Sequence, residues 1–435
     1  MSVSNTSSKS GLSAQSAPTR AGRKEPRTSA TAWQRACYRL VTRQLVDLKQ
    51  GELKIRSLMG EQVFGEPSDV SVELLVHDME TFERLMSGGS VGAGEAYMEG
   101  QWDCDDLVAL VRLLVRNREL LDGMEGGFAA IGGALLKLWH EFRRNTRKGS
   151  RDNIAAHYDL GNDLFELFLD RDWMMYSSAL YNSPDETLEQ AQFNKLKRLC
   201  DKLQLNDSDH LLEVGTGWGG CAVFAAQHYG CRVTTTTISK EQHKLAVERV
   251  KAAGLEDKVE VLLKDYRDLD GRYDKLISIE MVEAVGHHFL DEYFEQCRAR
   301  LKPDGLAVIQ AITIEDHRYQ QALNSVDFIK RYIFPGSFIP CVSVLTQSAA
   351  QAQLRLVNLE DLGDSYATTL NHWRQRFVAE LERVRELGYD ERFIRMWLFY
   401  LCYCEGGFIE RSISDVHLLL AADKNQSPNW LPSSN

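Results

Sequence analysis

The sequence predicts a doubly wound α/β domain with a mostly parallel sheet, preceded by a small α+β domain. Three observations predict it. Beyond Asp152, apolar strand segments alternate with helical ones; a glycine-rich loop follows the first of those strands; and the stretch before them mixes short alternating segments with a helix.

Residues 1–31, rich in Ser, Thr and Ala with scattered basic groups, cannot offset their ordering entropy and are expected to form a disordered tail. Residues 32–125 carry the alternating "GELKIRSL" and "VSVELLVHD" and the helical "DDLVALVRLLVRN", the small α+β domain. Residues 126–151 set an apolar half against Arg143, Arg144, Arg147, Lys148 and Arg151. Such a segment either lies amphipathically on an anionic lipid surface or forms a linker helix with a solvated charged end.

Residues 152–435 contain the strand–helix series. "HLLEVGTG" is a strand running into the glycine loop, followed by a helix through "CAVFAAQHYG", the strand "CRVTTTTIS" and the helix "KEQHKLAVERVKAAG". The strands "KVEVLLKD" and "YDKLISIEMV", the helix "LDEYFEQCRARL", a turn at "KPDG" and the strand "GLAVIQAITI" complete it. Strands so connected form a parallel sheet covered on both faces.

Composition narrows the function classes. The chain has 435 residues, 44% hydrophobic and 26% charged, and a net charge of -11, which disfavours nucleic acid as a partner. It contains no apolar run long enough to span a bilayer. Nine cysteines without zinc-type spacing read as reduced thiols of a cytoplasmic protein, with no metal expected.

The loop "EVGTGWGG" satisfies Gly-x-Gly-x-x-Gly through Gly215, Gly217 and Gly220, a pattern compatible with NAD. An NAD site would carry an acid at the end of the next strand, where this chain has Thr237, Ser239 and Gln242. Glu213 ahead of the first glycine, and "LLKDYRDL" with Asp265 for an adenine amino group and Tyr266 as an aromatic wall, favour S-adenosylmethionine instead. Trp218 and Gly219 complete the loop.

The blocks "AAHYDLGNDLFELFLDRDWMMYSSALY", "ISIEMVEAVG", "DFIKRYIFPGSFIP", "SYATTLNHW" and "FIRMWLFYLCYCEGGFIERSISD" resemble, in the same order, those of cyclopropane-fatty-acyl-phospholipid synthases. "GSVGAGEAYMEGQWDCDDLVALVRLLVRN" is similar to the small N-terminal domain of the bacterial two-domain members. The resemblance implies the class I methyltransferase fold. It also implies transfer of the methyl carbon of S-adenosylmethionine to the double bond of an unsaturated acyl chain in a membrane phospholipid. The expected location is cytoplasmic, peripheral on the inner face of the membrane, and a homodimer is left open.

By the same resemblance Tyr158, Tyr176 and Ser177 fold over the donor, and a bicarbonate ion serves as base. Its expected ligands are Glu283, Tyr366, Gln310, Ser178 and a backbone group of Ile279, with Cys404 near the ion pocket. Ser178 and Gln310 stand where the best-known members have Cys and His, placing the chain in a Gln-containing branch. A glutamine donates a hydrogen bond but cannot titrate. Glu283 also reads as an acid at a helix N-terminus and Cys404 as a small buried hydrophobe. A methyltransferase of a soluble small molecule and a non-catalytic lipid-binding relative are the alternatives. The product is equally open: a cyclopropane, or a methylene branch that is later saturated.

Overall fold

The computed structural model describes residues 29–119 and 161–426. The basic segment 126–151, Tyr158 and all but the last three residues of the expected tail lie outside the described residues.

Thr31 opens the first helix, α1 (Ala32–Leu45), by accepting from Gln34 N–H while the Gln34 side chain returns a bond to Thr31 N–H. A four-stranded sheet follows. The strands β1 (Glu52–Ser57) and β2 (Gly60–Gly65) pair antiparallel, β3 (Ser71–Val76) runs parallel to β1, and β4 (Trp102–Cys104) closes the far edge antiparallel to β3. Two helices join α1 against it. They are α2 (Glu80–Met98), kinked where Gly89 takes a φ of 54°, and α3 (Leu107–Arg116), started by the Asp106 carboxylate on Ala109 N–H.

The second sheet has seven strands: β5 (His210–Val214), β6 (Arg232–Thr237), β7 (Val259–Leu263), β8 (Tyr273–Ile279), β9 (Leu301–Ile314), β10 (Leu354–Asp361) and β11 (Ile413–Ala422). Their spatial order is β10-β11-β9-β8-β5-β6-β7, with β11 antiparallel to both neighbours and the other pairs parallel. This is the doubly wound, mostly parallel sheet expected of the class I methyltransferase fold. The expected turn at "KPDG" differs: those residues form an irregularity at the start of β9, where the register jumps from Leu301 opposite Tyr273 to Leu306 opposite Lys275.

Helices cover both faces. The short α4 (Asn162–Glu166) packs into the core shared with the N-terminal part, while α5 (Leu188–Lys202), α6 (Gly220–Tyr229) and α7 (Lys240–Ala252) lie on one face of the sheet; on the other, α8 (Leu290–Arg300), α9 (Tyr319–Asn324) and α10 (Val342–Gln351) take part. Leu196, Leu199 and Phe224 are buried in one cluster, and Tyr293, Phe294 and Leu345 in a second. The strand order reverses between β5 and β8, and a crevice opens beyond their carboxyl ends, where such sheets bind ligands.

Between β10 and β11 the chain adds α11 (Gly363–Ala379), α12 (Leu381–Glu386) and α13 (Glu391–Ile409). Trp373 and Trp397 of this insertion share one hydrophobic core with Cys37, Ile55 and Phe82 of the N-terminal part. The approach is close: a Cβ on Gly94 would lie 2.4 Å from Phe328 Cδ2, and one on Gly406 would lie 2.7 Å from Val111 Cγ1. Buried Arg395 on α13 donates to the carbonyls of Tyr97 and Trp102 and pairs with Asp103 at 2.8 Å. Arg112 and Arg116 of α3 grip Glu410 at 2.7 and 2.9 Å. The N-terminal part is therefore fixed to the rest of the chain by glycine backbones set against side chains and by paired charges together.

Candidate active site

The glycine loop sits where the strand order reverses. Gly215, Gly217 and Gly219 all have positive φ, and Gly219 begins α6 in the left-handed region, where a side chain would be strained. A Cβ on Gly220 would stand 2.1 Å from the Trp173 carbonyl oxygen, so the loop and the segment before Tyr176 can meet only because no side chain intervenes. That segment is organised by buried Asp170. Its carboxylate accepts from the backbone N–H groups of Trp173, Met174 and Met175 at 2.7, 3.1 and 2.8 Å, and so aims Tyr176 and Ser177 at the crevice.

A cavity of about 650 Å³ opens here, lined by Tyr176, Ser177, Gly215, Thr237, Gln242 and Tyr266 among others. These residues fit the methyl donor. The glycines bare the backbone at the loop, the Gln242 amide has its Oε1 engaged by Thr237 and its NH2 without a hydrogen bond among the described residues, and the Tyr266 hydroxyl is buried without a hydrogen-bond partner.

Other expected donor contacts serve elsewhere. Glu213 is buried with its Oε2 accepting from Thr235 Oγ1 at 2.6 Å, and burial pushes its carboxyl up to about 7; it supports the loop from beneath while lining the cavity. Ser239 caps α7 by accepting from Gln242 N–H at 3.3 Å, so its hydroxyl shapes the helix start. Asp265 lines the cavity with its carboxylate held by the Arg267 Nε and NH2 groups at 2.9 and 2.7 Å. Trp218 turns toward α4, donating to Asn162 Oδ1 at 2.8 Å and packing on Phe165, although its edge also reaches the cavity.

The expected ion site is where the structure corrects the sequence. Three of the intended ligands converge on a carboxylate of the chain itself, that of Glu280. Its Oε1 accepts from Ser178 N–H at 2.8 Å and from Gln310 Nε2 at 2.8 Å, and its Oε2 accepts from the Tyr366 hydroxyl at 2.7 Å. The donors chosen for bicarbonate are thus committed, and the residues present do not fit a separate ion. Ile279 contributes position: its backbone pairs with Gln310 in the β8–β9 ladder, placing Glu280 at the strand end with φ of 45°. That conformation is costly for a residue with a Cβ, and it turns the carboxylate back toward Ser178 and Tyr366.

Gln310 and Ser178 are fully buried and do not line the cavity, so they position Glu280 rather than meet a substrate. Gln310 Nε2 also donates to Asp415 at 2.8 Å. With its NH2 so used, Gln310 Oε1 accepts from His417 Nε2 at 3.2 Å. Burial pushes His417 down to about 4, so the ring is neutral and locks the amide. Glu283 receives Ile312 N–H at 2.6 Å, lines the cavity, and keeps Oε2 buried without a partner. It lies in a short 3-10 turn (Val282–Ala284) beside the cluster and does not bond to Ser178, Gln310 or Tyr366. Cys404 lines the cavity half-buried; burial raises its thiol well above the usual range, so it is neutral and no base.

Burial raises the carboxyls of Glu280, Glu283 and Asp415 alike. For Glu280 this is opposed by its three hydrogen bonds and by the charge of Lys195, a fully buried lysine whose Nζ donates to Ser177 Oγ at 2.8 Å. A carboxylate so raised, on the wall of the cavity, is equipped to take a proton. Sequence reasoning missed Glu280, Lys195, Asp415 and His417. The signal for Glu280 was present: "IEMVE" offers two acids three apart at a strand end, and the block resemblance directed attention to the second.

A doubly wound sheet with a glycine-lined crevice at its reversal point and no acid for a ribose at the end of β6 defines an S-adenosylmethionine-dependent methyltransferase. Residues 145–418 match the family model described as mycolic acid cyclopropane synthetase, and the chain belongs to that family. It is 38% identical over 345 residues to the tuberculostearic acid methyltransferase of Mycobacterium tuberculosis, covering 77% of this chain and 80% of the relative. It is 36% identical over 350 residues to the cyclopropane-fatty-acyl-phospholipid synthase of Escherichia coli K12, covering 80% and 86%. The solved mycolic acid cyclopropane synthase in complex with SAH and CTAB is similar with a TM-score of 0.59 at 28% identity, over 62% of this chain and 98% of that one. The chain is accordingly an enzyme that transfers a methyl carbon from S-adenosylmethionine to an unsaturated lipid acyl chain.

The buried acids give the fold a pH dependence. Glu283, ordinarily at 4.5, is pushed up to about 8 by burial and by neighbouring Glu280, so the folded chain holds a proton that the unfolded chain has lost across that interval. Its contribution is complete below about pH 4.5 and is lost as pH rises through about 8. Glu283→Gln keeps an acceptor for Ile312 N–H and carries no charge at any pH. Its melting temperature is expected to fall less than that of the wild type between about pH 5 and about pH 9; parallel declines by circular dichroism would contradict this assignment.

Proposed function

We propose that the enzyme methylates the double bond of an acyl chain in a membrane phospholipid, with Glu280 as the built-in base. The observation that carries this is the Glu280 carboxylate on the cavity wall, held by Ser178, Gln310 and Tyr366 where an ion was expected. S-adenosylmethionine, when bound, supplies an electrophilic methyl group. The chain's own part is to hold the alkene in line with it in a water-poor pocket.

Tyr176, Phe334, Tyr366, Tyr400 and Phe408 line the cavity, and their ring faces stabilise positive charge on the acyl chain without trapping it. Glu280 Oε2 then removes a proton. Taken from the new methyl group while the positive charge sits on the other former alkene carbon, it allows ring closure; taken from the same methyl group after a hydride has shifted to bring the charge onto the branched carbon, it leaves a methylene branch. Both outcomes share one methyl transfer and one source of the proton, and the product is set by whether that hydride shift precedes proton removal.

The lipid also bears on where the enzyme works. No helix among the described residues is long and apolar enough to cross a membrane. We place the enzyme on the cytoplasmic face of the membrane, with the cations of 126–151 offsetting the repulsion between an acidic protein and anionic lipid. Flotation with anionic vesicles is expected to carry the wild type and to lose it on adding salt or on Arg143→Ala with Arg144→Ala. Binding that ignores both changes would remove the segment from this role.

Mass spectrometry of lipids from cells expressing the chain is expected to show acyl chains heavier by one CH2, and ozonolysis distinguishes ring from methylene. Glu280→Gln preserves the size of the side chain and should lower turnover by at least about 100-fold while calorimetric affinity for S-adenosylmethionine persists. Turnover near that of the wild type would exclude Glu280 as the base.

A further inference from the structure

The cavity does not end at the catalytic sheet. Its walls include Leu53 and Ile55 of β1, Leu74 of β3, Phe82 and Leu85 of α2, and Leu110 of α3, all in the N-terminal part, together with the glycine loop and Glu280. One space therefore runs from the donor crevice into the interior of the α+β domain, between its four-stranded sheet and its helices. Protein interiors normally pack without voids larger than a water molecule, and an unfilled apolar hollow costs stability in proportion to its volume. A space of about 650 Å³ shared between two parts of the chain is the size of a ligand site.

We infer that the hollow of the N-terminal domain is an acyl-tail chamber, receiving the methyl-terminal segment of the lipid chain and so fixing which carbons lie beside Glu280. This rests on the lipid reading of the site and adds to it the source of positional selectivity. The chemistry of the walls sets the direction. Apart from Thr81, Ser90 and Arg118, the N-terminal part lines the cavity with apolar residues and a glycine, the buried Leu53, Ile55, Phe82 and Leu110 among them, so the chain's apolar end enters and the headgroup stays outward.

The joint between the two parts makes the chamber a fixed ruler. Gly94 against Phe328, Gly406 against Val111, and Arg395 clamped to Tyr97, Trp102 and Asp103 hold the chamber at a constant distance from Glu280. Beside the chamber, the π-helical turn Ile329–Ile333 places Ile329 on the cavity wall between the two ends. A chain whose methyl-terminal segment is too long for the chamber then presents its double bond short of the base.

The test uses the full-length enzyme with phosphatidylglycerol vesicles carrying equal amounts of oleoyl and cis-vaccenoyl chains. These have one length, and the double bond lies nearer the methyl end in the second. Leu85→Trp and Leu74→Trp, which shorten the chamber, are expected to shift the product ratio toward cis-vaccenoyl by about tenfold, and Phe82→Ala, which deepens it, to shift the ratio the other way. Calorimetric affinity for S-adenosylmethionine should be unchanged in all three. Equal loss of both products, or unchanged ratios in all three variants, would overturn the chamber.

A second readout does not depend on turnover. A phosphatidylglycerol whose acyl chain bears a diazirine beside its methyl end should crosslink to peptides containing Leu53, Leu74 or Leu85. Crosslinks confined to residues 161–426 would overturn the inference even if the lipid is methylated. Crosslinks in the chamber without any methylated product would sustain the chamber and defeat the lipid-methylation reading.

Discussion

The site depends on one carboxylate. Glu280 gathers hydrogen bonds from the loop before α5, from β9 and from α11, three segments far apart in the chain. Each donor is itself held: Gln310 by Asp415 and His417 on β11, Ser178 through the segment that Asp170 organises, and Tyr366 by packing on Phe408 with ring centroids 4.4 Å apart. Removing any one would leave a buried charge short of partners, which costs more than the bond contributes when made. The positive φ of Glu280 is tolerated because these bonds together outweigh the backbone strain.

The same cluster explains why burial and reactivity coexist. Several acids in one dry region cannot all ionise, and their carboxyls are raised together. Lys195 is the buried cation that counters them, joined to the site through Ser177. Of the three acids, Glu280 accepts the most hydrogen bonds and also touches the cavity. Of the three its charged form has the most hydrogen-bond support against the effect of burial, and so it is the one able to act as base when a cation develops beside it.

Much of this was legible in the sequence, and the limits have physical causes. The strand–helix alternation after Asp152 gave the sheet, because period and loop length are local properties. The glycine loop and the bare end of β6 pointed to a methyl donor rather than NAD for the same reason. The irregularity at "KPDG" was read as a turn, since a bulge is defined by the partner strand. Ser239 and Asp265 are expected at the donor from the sequence, but their commitments to a helix cap and to Arg267 are contacts that composition does not display.

Glu280 was overlooked because its role is created by donors supplied from distant positions, whereas Glu283 stood out by resemblance alone. The two acids are three residues apart, and only the backbone turn at Glu280 decides which meets Ser178 and Tyr366. The central claim is that this carboxylate fills the place of an external ion. Turnover of the wild type in buffer stripped of carbon dioxide, then titrated with bicarbonate, tests it most directly. A rate independent of bicarbonate is predicted, and a rate that starts near zero and climbs with added bicarbonate would contradict it.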